Sequence, residues 1–130
     1  MRTCILFLVL LLFPLQAGAA DRIPGTGVVI QGLDKVTARI STLNIAVGDS
    51  AEFGTLRIAL RACEKAPPED PPEAAAFLDI LEQRDEEEPA SLFHGWMFAS
   101  TPALSALEHP VYDVWVLDCI QGADEAESEN

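Results

Sequence analysis

The stretch "TLRIALRAC", residues 55–63, carries the alternation that decides the fold class. Four apolar side chains fall on one face of it and two arginines on the other: Leu56, Ile58, Leu60 and Ala62 against Arg57 and Arg61. A period of two is that of a β-strand with one buried face and one solvated face. The stretch therefore predicts a half-buried strand with outward-facing arginines.

The same period recurs upstream. "KVTARIS" (35–41) predicts a strand with Val36, Ala38 and Ile40 inward, and "LNIAV" (43–47) continues the pattern until the turn signal "GDS" (48–50). Residues 21–27, "DRIPGTG", have the composition of a loose leader. Strands separated by turn signals predict an antiparallel sheet.

Downstream, a proline-rich connector (64–73) is followed by "AAAFLDILEQ" (74–83), whose pattern fits either a helix or a strand. "LFHGWMFAS" (92–100) predicts a strand, and "STPALSAL" (100–107) predicts one helical turn. "HPVYDVWVLDC" (109–119) is apolar on both faces, which predicts a central last strand. The chain is therefore predicted to be mainly β, a small antiparallel sandwich or barrel of six or seven strands with one short helical turn.

The N-terminus has the layout of a cleavable export signal. Arg2 precedes an apolar run, a proline and then small residues: Ile5 to Leu12, Pro14 and Ala17 to Ala20. The run is too short to span a membrane, which takes about 20 apolar residues. We expect a signal peptide over 1–20, one β domain over 21–121 and a disordered acidic tail over 122–130. The mature protein is then periplasmic and not inserted in the membrane.

Cleavage would remove Cys4 and leave Cys63 and Cys119. An even pair of cysteines in an exported chain predicts a disulfide. The disulfide would close a loop of 56 positions between Cys63 and Cys119. Closing such a loop stabilises the folded chain by roughly 4 kcal/mol in the chain-entropy model.

The net charge of the 130-residue chain is −13, and loss of Arg2 would make it one unit more negative. Nucleic acids and anionic lipids bind clustered lysines and arginines. We therefore expect neither as a partner.

Candidate chemical groups are few. His94, His109 and Asp113 could together hold a metal ion, but no H-x-x-x-H or H-x-H spacing occurs, and His109 before Pro110 also fits a local hydrogen bond in a turn. No nucleophile-elbow pattern is present. The pattern predicts a protein that is not an enzyme and needs no cofactor.

Aromatic and basic residues suggest binding instead. Trp96 and Tyr112 could form a stacking platform for a sugar or peptidoglycan, whereas Trp115 and Phe98 are predicted to pack in the core. A basic cluster with Trp96 forms the candidate surface for a protein partner: Lys35, Arg39, Arg57 and Arg61. The same basic residues could instead pair with neighbouring carboxylates as a solvated face.

Three blocks resemble a family of small exported alphaproteobacterial proteins known as a domain of unknown function: "LDKVTAR" (33–39), "FGTLRIALRAC" (53–63) and "LFHGWMFASTPALSALEHPVYDVWVLDC" (92–119). The resemblance implies a single periplasmic domain in which "AAFLDILEQ" (75–83) pairs as a strand with residues 92–100. It supplies no catalytic residues. The resemblance also suggests that the genes of such proteins lie near one for an accessory subunit of respiratory complex I, which implies an accessory role in the envelope linked to a respiratory complex.

Overall fold

The computed structural model describes residues 21–104, 107 and 109–122. The predicted signal peptide and residues 123–130 of the predicted tail lie outside this part. The strands, in chain order, are β1 (Ile23–Pro24), β2 (Gly27–Asp34), β3 (Arg39–Ala46), β4 (Ser50–Phe53), β5 (Leu56–Lys65), β6 (Ala74–Glu82), β7 (Ala90–Phe98) and β8 (Tyr112–Ile120). A single 3₁₀ turn, Pro102–Leu104, lies between β7 and β8 in the described part.

The strands form two antiparallel sheets. One has the order β1-β5-β6-β7, with β4 also paired to β5, and the other has the order β3-β2-β8. The prediction of a mainly β antiparallel sandwich with one short helical turn is confirmed, with eight strands in the described part. Within that part, no helix is long and apolar enough to cross a membrane.

The core lies between the two sheets, because alternate side chains of each strand point toward the other sheet. The three-stranded sheet and the five-stranded sheet both supply fully or almost fully buried aliphatic side chains: Val28, Ile30, Ile45, Val114 and Val116 from the first, and Leu56, Ile58, Leu60, Leu78, Ile80 and Met97 from the second. Leu107, from the segment between β7 and β8, is also buried in this core. The inward set predicted for residues 55–63 is correct as far as Leu60.

Residues 74–82 form strand β6, as the resemblance implied. β6 pairs along its length with β7, with Phe77 opposite Trp96 and Asp79 opposite His94. Its inward side chains are buried in the alternating pattern of a central strand. The helical alternative for this segment is therefore wrong.

The strand predicted over residues 35–41 is largely wrong. Residues 35–38 form a turn in which the Asp34 carboxylate accepts hydrogen bonds from the Val36 and Thr37 amides, and Ala38 adopts a left-handed conformation with φ 57°. Val36 is 77 % exposed, so its alternation with Ile40 does not reflect burial. The strand begins only at Arg39.

Strand β2, which the alternation of the sequence does not predict, lies at the centre of the three-stranded sheet. Its glycines and the sequence "IPGTG" at its start are typical of a loop. In the structure, glycine allows the backbone of β2 to lie close to a neighbouring side chain. A Cβ on Gly32 would lie 2.8 Å from the Phe53 ring. The neighbouring Val28 and Ile30 are fully buried.

Strand β8 is at an edge, which corrects the prediction that it is central. Its apolar residues on both faces have different environments: Val114 and Val116 are buried, whereas Trp115 is half-buried on the opposite face. Phe98 is likewise half-buried, because Met97 takes the inward position on β7. The core placement predicted for Trp115 and Phe98 is therefore wrong.

Candidate functional site

The disulfide joins the two sheets. Cys63 of β5 and Cys119 of β8 form a bond with Cα atoms 5.8 Å apart, and both residues are 2 % exposed. A register shift between Leu60 and Ala62 moves Cys63 to the inward side, although simple alternation from Leu60 would point it outward. The predicted disulfide is thus present as a buried covalent link.

A buried polar cluster lies at the Glu82 end of the sandwich. Nε2 of His109 lies 2.5 Å from Oε2 of Glu82, which also accepts a hydrogen bond from the Thr55 hydroxyl at 3.1 Å. Nδ1 of His109 accepts hydrogen bonds from the amides of Val111 and Tyr112 at 3.0 and 3.2 Å. Because Nδ1 accepts, the proton belongs on Nε2, and the imidazole is neutral and donates to Glu82.

The electrostatics of the cluster favour an ionised Glu82. Burial by itself raises the pKa of this carboxyl, but hydrogen bonds from His109 and Thr55, with the charge of Arg84, outweigh burial and hold it below its ordinary value. Both ring nitrogens of His109 and both carboxylate oxygens therefore have partners within the fold. The cluster fixes the turn that leads into β8 and presents neither histidine nitrogen to a ligand.

Aromatic residues mark the outer face of the five-stranded sheet, which we define by Arg57, Ala59, Arg61, Phe77, Asp79, Leu81, His94 and Trp96. Cross-strand pairing puts these side chains on one surface, since Arg57 is opposite Leu81 and Phe77 is opposite Trp96. The Phe77 ring contacts the His94 and Trp96 rings edge-on, with centroids 5.1 and 5.4 Å apart. Trp96 is 37 % exposed, so this outer face presents an accessible aromatic group.

Charged groups flank the aromatic residues on this outer face. Arg61 donates from Nε to Asp79 at 2.7 Å, and His94 contacts the other oxygen of the same carboxylate. The Arg61 hydrogen bond, followed by that of His94, holds the pKa of Asp79 below its ordinary value. Arg57 donates to the Ser50 hydroxyl, and no carboxylate among the described residues lies within 4.0 Å of its guanidinium.

The residues of the predicted partner surface are divided between the two sheets. Arg57, Arg61 and Trp96 share the outer face of the five-stranded sheet, whereas Arg39 is on edge strand β3 of the other sheet. Lys35 is bound elsewhere, donating to the His109 carbonyl oxygen at 2.8 Å and pairing with Asp113 at 3.2 Å.

The three candidate metal ligands are also separated. His94 is exposed on the outer face, His109 is buried against Glu82, and Asp113 pairs with Lys35. In the described ranges, no group of three histidine, cysteine or acidic residues is arranged to hold a metal ion. His109 instead makes the local hydrogen bonds that the sequence offered as the alternative to metal binding, with the amides of Val111 and Tyr112.

The aromatic platform of Trp96 and Tyr112 is not formed. Tyr112 points inward, where its ring packs on Phe53 and His109 with centroids 5.3 and 5.0 Å apart. The sequence did not predict the positions of Glu82 and Phe77, because the pattern of residues 74–83 fits either a helix or a strand. A strand assignment alone would have placed Phe77 beside Trp96, but nothing local indicates that Glu82 meets His109.

Comparison with known proteins gives a family for the chain. Residues 28–119 match the family described as "Uncharacterized protein conserved in bacteria (DUF2155)", which covers β2 to the second disulfide cysteine. The chain belongs to this family. Both disulfide cysteines, and β8 as far as Cys119, thus fall within the matched part of the DUF2155 domain.

One relative of the chain is the "Uncharacterized protein RP359" of Rickettsia prowazekii (strain Madrid E). It is 33 % identical over 90 residues, which are 69 % of this chain and 58 % of the relative. The chain therefore aligns with little more than half of that protein's length. No solved structure matches the chain.

Proposed function

We propose that this DUF2155 protein is a non-enzymatic interaction module of the bacterial envelope, exported to the periplasm, that binds a protein partner through the outer face of its five-stranded sheet. The partner's contact site, in this proposal, presents both an acidic side chain and an apolar one. The apolar group packs on Trp96 and Phe77, and the carboxylate pairs with Arg57.

The exposed Trp96, held edge-on against Phe77 on the outer face that also carries Arg57 and Arg61, supports this proposal. Tryptophan and arginine are the residue types most enriched among those that dominate binding energy at protein interfaces. Arg57 supplies a cation that no described carboxylate reaches, and the planar guanidinium suits bidentate pairing with a carboxylate. Arg61 is already paired with Asp79, so it supports this surface mainly by position.

The contacts of the two histidines support the non-enzymatic part of the proposal. His109 is enclosed by its own fold, with side-chain exposure of 4 %, and its two ring nitrogens are both hydrogen-bonded. A general base must reach the proton that it abstracts. His94, the exposed histidine, is bound to an aspartate that Arg61 already neutralises.

Affinity purification tests the proposal. The tagged chain is recovered from periplasm and from solubilised membranes, and proteins and metals in the eluate are identified by mass spectrometry, with subunits of respiratory complexes included in the search. Trp96→Ala and Arg57→Glu are compared with matched controls on the other sheet, Trp115→Ala and Arg39→Glu, after thermal unfolding confirms that all four variants fold.

A stoichiometric partner that is lost with Trp96→Ala and Arg57→Glu, but retained with both controls, supports the proposed surface. Retention with all four variants would remove the outer face of the five-stranded sheet from consideration. Stoichiometric metal without any protein partner would overturn the interaction-module proposal in favour of metal binding.

A further inference from the structure

Strand β7 is an open edge of the five-stranded sheet. It pairs with β6 on one side, and in the described part of the chain no backbone hydrogen bond outside the β6–β7 ladder involves residues 90–98. An edge strand presents a row of unpaired N–H and C=O groups that can accept another strand. The nine residues of β7 are therefore a template for strand addition.

Apart from the register shift that leaves Leu92 unpaired, β7 lacks the features that usually protect such an edge. Its last six residues, "FHGWMF" (93–98), contain no proline, lysine, arginine or acid. The register shift opposite Ile80 and Leu81 lies before this segment, so the ladder from Phe93 to Phe98 is regular. By contrast, β8 carries Asp113 and Asp118 with their lysine partners, β3 begins at Arg39, and β1 and β4 have only two and four residues.

The charge distribution favours one occupant and one direction. The chain carries −13 overall, yet 93–98 contributes only a histidine, so two copies can meet there without direct repulsion between acids. The acidic turn "DEEE" (85–88) precedes β7. Parallel pairing of two β7 strands would place both turns side by side, whereas antiparallel pairing separates them by roughly 50 Å at about 3.3 Å per residue. That separation exceeds the Debye length of about 8–10 Å several times.

We infer that β7 of a second copy occupies this edge in antiparallel orientation about a two-fold axis near Gly95 and Trp96. The two five-stranded sheets then form one continuous ten-stranded sheet, and an isologous contact of this kind closes as a dimer. A two-fold axis perpendicular to the sheet keeps both outer faces on the same side. With the axis at Gly95 or at Trp96, the two Trp96 side chains are diagonal or direct neighbours, within about 8 Å. The inference does not depend on an envelope partner.

The test uses the purified chain alone, recovered from the periplasm, in sedimentation velocity over a series of concentrations. Trp96→Glu and Trp96→Lys each place like charges next to the axis and are expected to raise the dimer dissociation constant more than about tenfold. An equimolar mixture of the two variants restores a dimer, because opposite charges now meet, and high salt weakens that mixed dimer. A mixed dimer also shows that both variants are folded.

Ile40→Glu is the matched control, since Ile40 is 59 % exposed on β3, an edge strand of the other sheet. It is expected to leave the dimer unchanged. A wild-type chain that stays monomeric up to about 100 μM, a dimer that survives both Trp96 variants, or a dimer that only Ile40→Glu disrupts would each overturn the assignment to β7. Because no partner protein is present, these outcomes are independent of the test of the proposed function.

Discussion

His109 shows how a residue with catalytic chemistry can have a purely structural position. Its Nε2–H is directed at Glu82, and its Nδ1 accepts two backbone amides at the start of β8. The sequence predicted a local turn contact from the following proline. It could not predict Glu82, which is 27 residues away at the end of β6 in the five-stranded sheet. A neutral histidine with both nitrogens bonded stabilises the junction between the sheets.

At this residue scale, Glu82→Gln is expected to lower the free energy of unfolding by about 1–3 kcal/mol at neutral pH, because charged hydrogen bonds to a buried carboxylate are lost. Glu88→Gln, at an exposed position of the acidic turn, is the matched control and should change stability by less than about 0.5 kcal/mol. Urea unfolding followed by tryptophan fluorescence measures both. Equal stabilities of the two variants would contradict the role of the buried cluster.

Because the pKa of Glu82 is lowered, the difference in unfolding free energy between wild type and Glu82→Gln depends on pH. A carboxyl whose folded pKa is depressed stabilises the fold above its ordinary value of 4.5, and this contribution is lost as pH falls through the folded pKa. We expect the unfolding free energies of wild type and Glu82→Gln to converge as the pH is lowered from 6 to well below 4.5, through the folded pKa. A difference that stays constant over that range would show that Glu82 does not titrate with a depressed pKa.

At the scale of elements, alternation predicted strands well where one face is solvated. It gave the inward face of β5 up to Leu60, but it failed for residues 35–38, where the Asp34 carboxylate and left-handed Ala38 form a turn. It also missed β2, because a central strand with glycines against Phe53 has no polar alternation to detect. The order of strands depends on long-range pairing, which no local pattern contains.

The turn between β4 and β5 supplies an element-scale prediction. Gly54 has φ 57°, and a Cβ there would overlap the Tyr112 phenol, whereas Gly48 has φ 92° with nothing within 4 Å of a Cβ. Both Gly→Ala substitutions incur backbone strain of about 1–2 kcal/mol, but Gly54→Ala adds an overpacking cost of about 1–3 kcal/mol. Thermal unfolding should therefore rank Gly54→Ala below Gly48→Ala. Tyr112→Ala should abolish the extra cost, and its persistence in that double variant would contradict the contact.

The disulfide gives a second prediction at this scale, because it connects β5 to β8 across the sandwich. Replacing both cysteines by alanine is expected to lower the free energy of unfolding by roughly 4 kcal/mol, since the unfolded chain regains the freedom of the closed loop. Urea unfolding of wild type with and without reductant provides the comparison. If reduction leaves the midpoint unchanged, the bond does not contribute to stability.

For the molecule as a whole, the sequence predicted which types of residue are exposed, but not which of them share one face of the molecule. Alternation places Arg39 and Arg57 outward on their strands, yet the strands belong to different sheets, so the two arginines face different directions. Trp96 and Trp115 are divided in the same way. The two outer faces therefore have to be tested separately, and each tryptophan reports on one of them.

Export is the whole-molecule prediction that connects the sequence to the disulfide. A chain cleaved in the periplasm should begin at Ala20 or Asp21 and contain no free thiol, because Cys4 is removed and the remaining pair is oxidised in that compartment. Intact-mass measurement with and without thiol alkylation reads both properties from one sample. The same chain begun at Asp21 and produced in a reducing cytoplasm is the control, and it should take up two alkyl groups and unfold at lower urea concentration. A periplasmic or membrane-bound product that retains residues 1–20 would contradict cleavage, and free Cys63 and Cys119 in the exported protein would show that the two sheets are held together by packing alone.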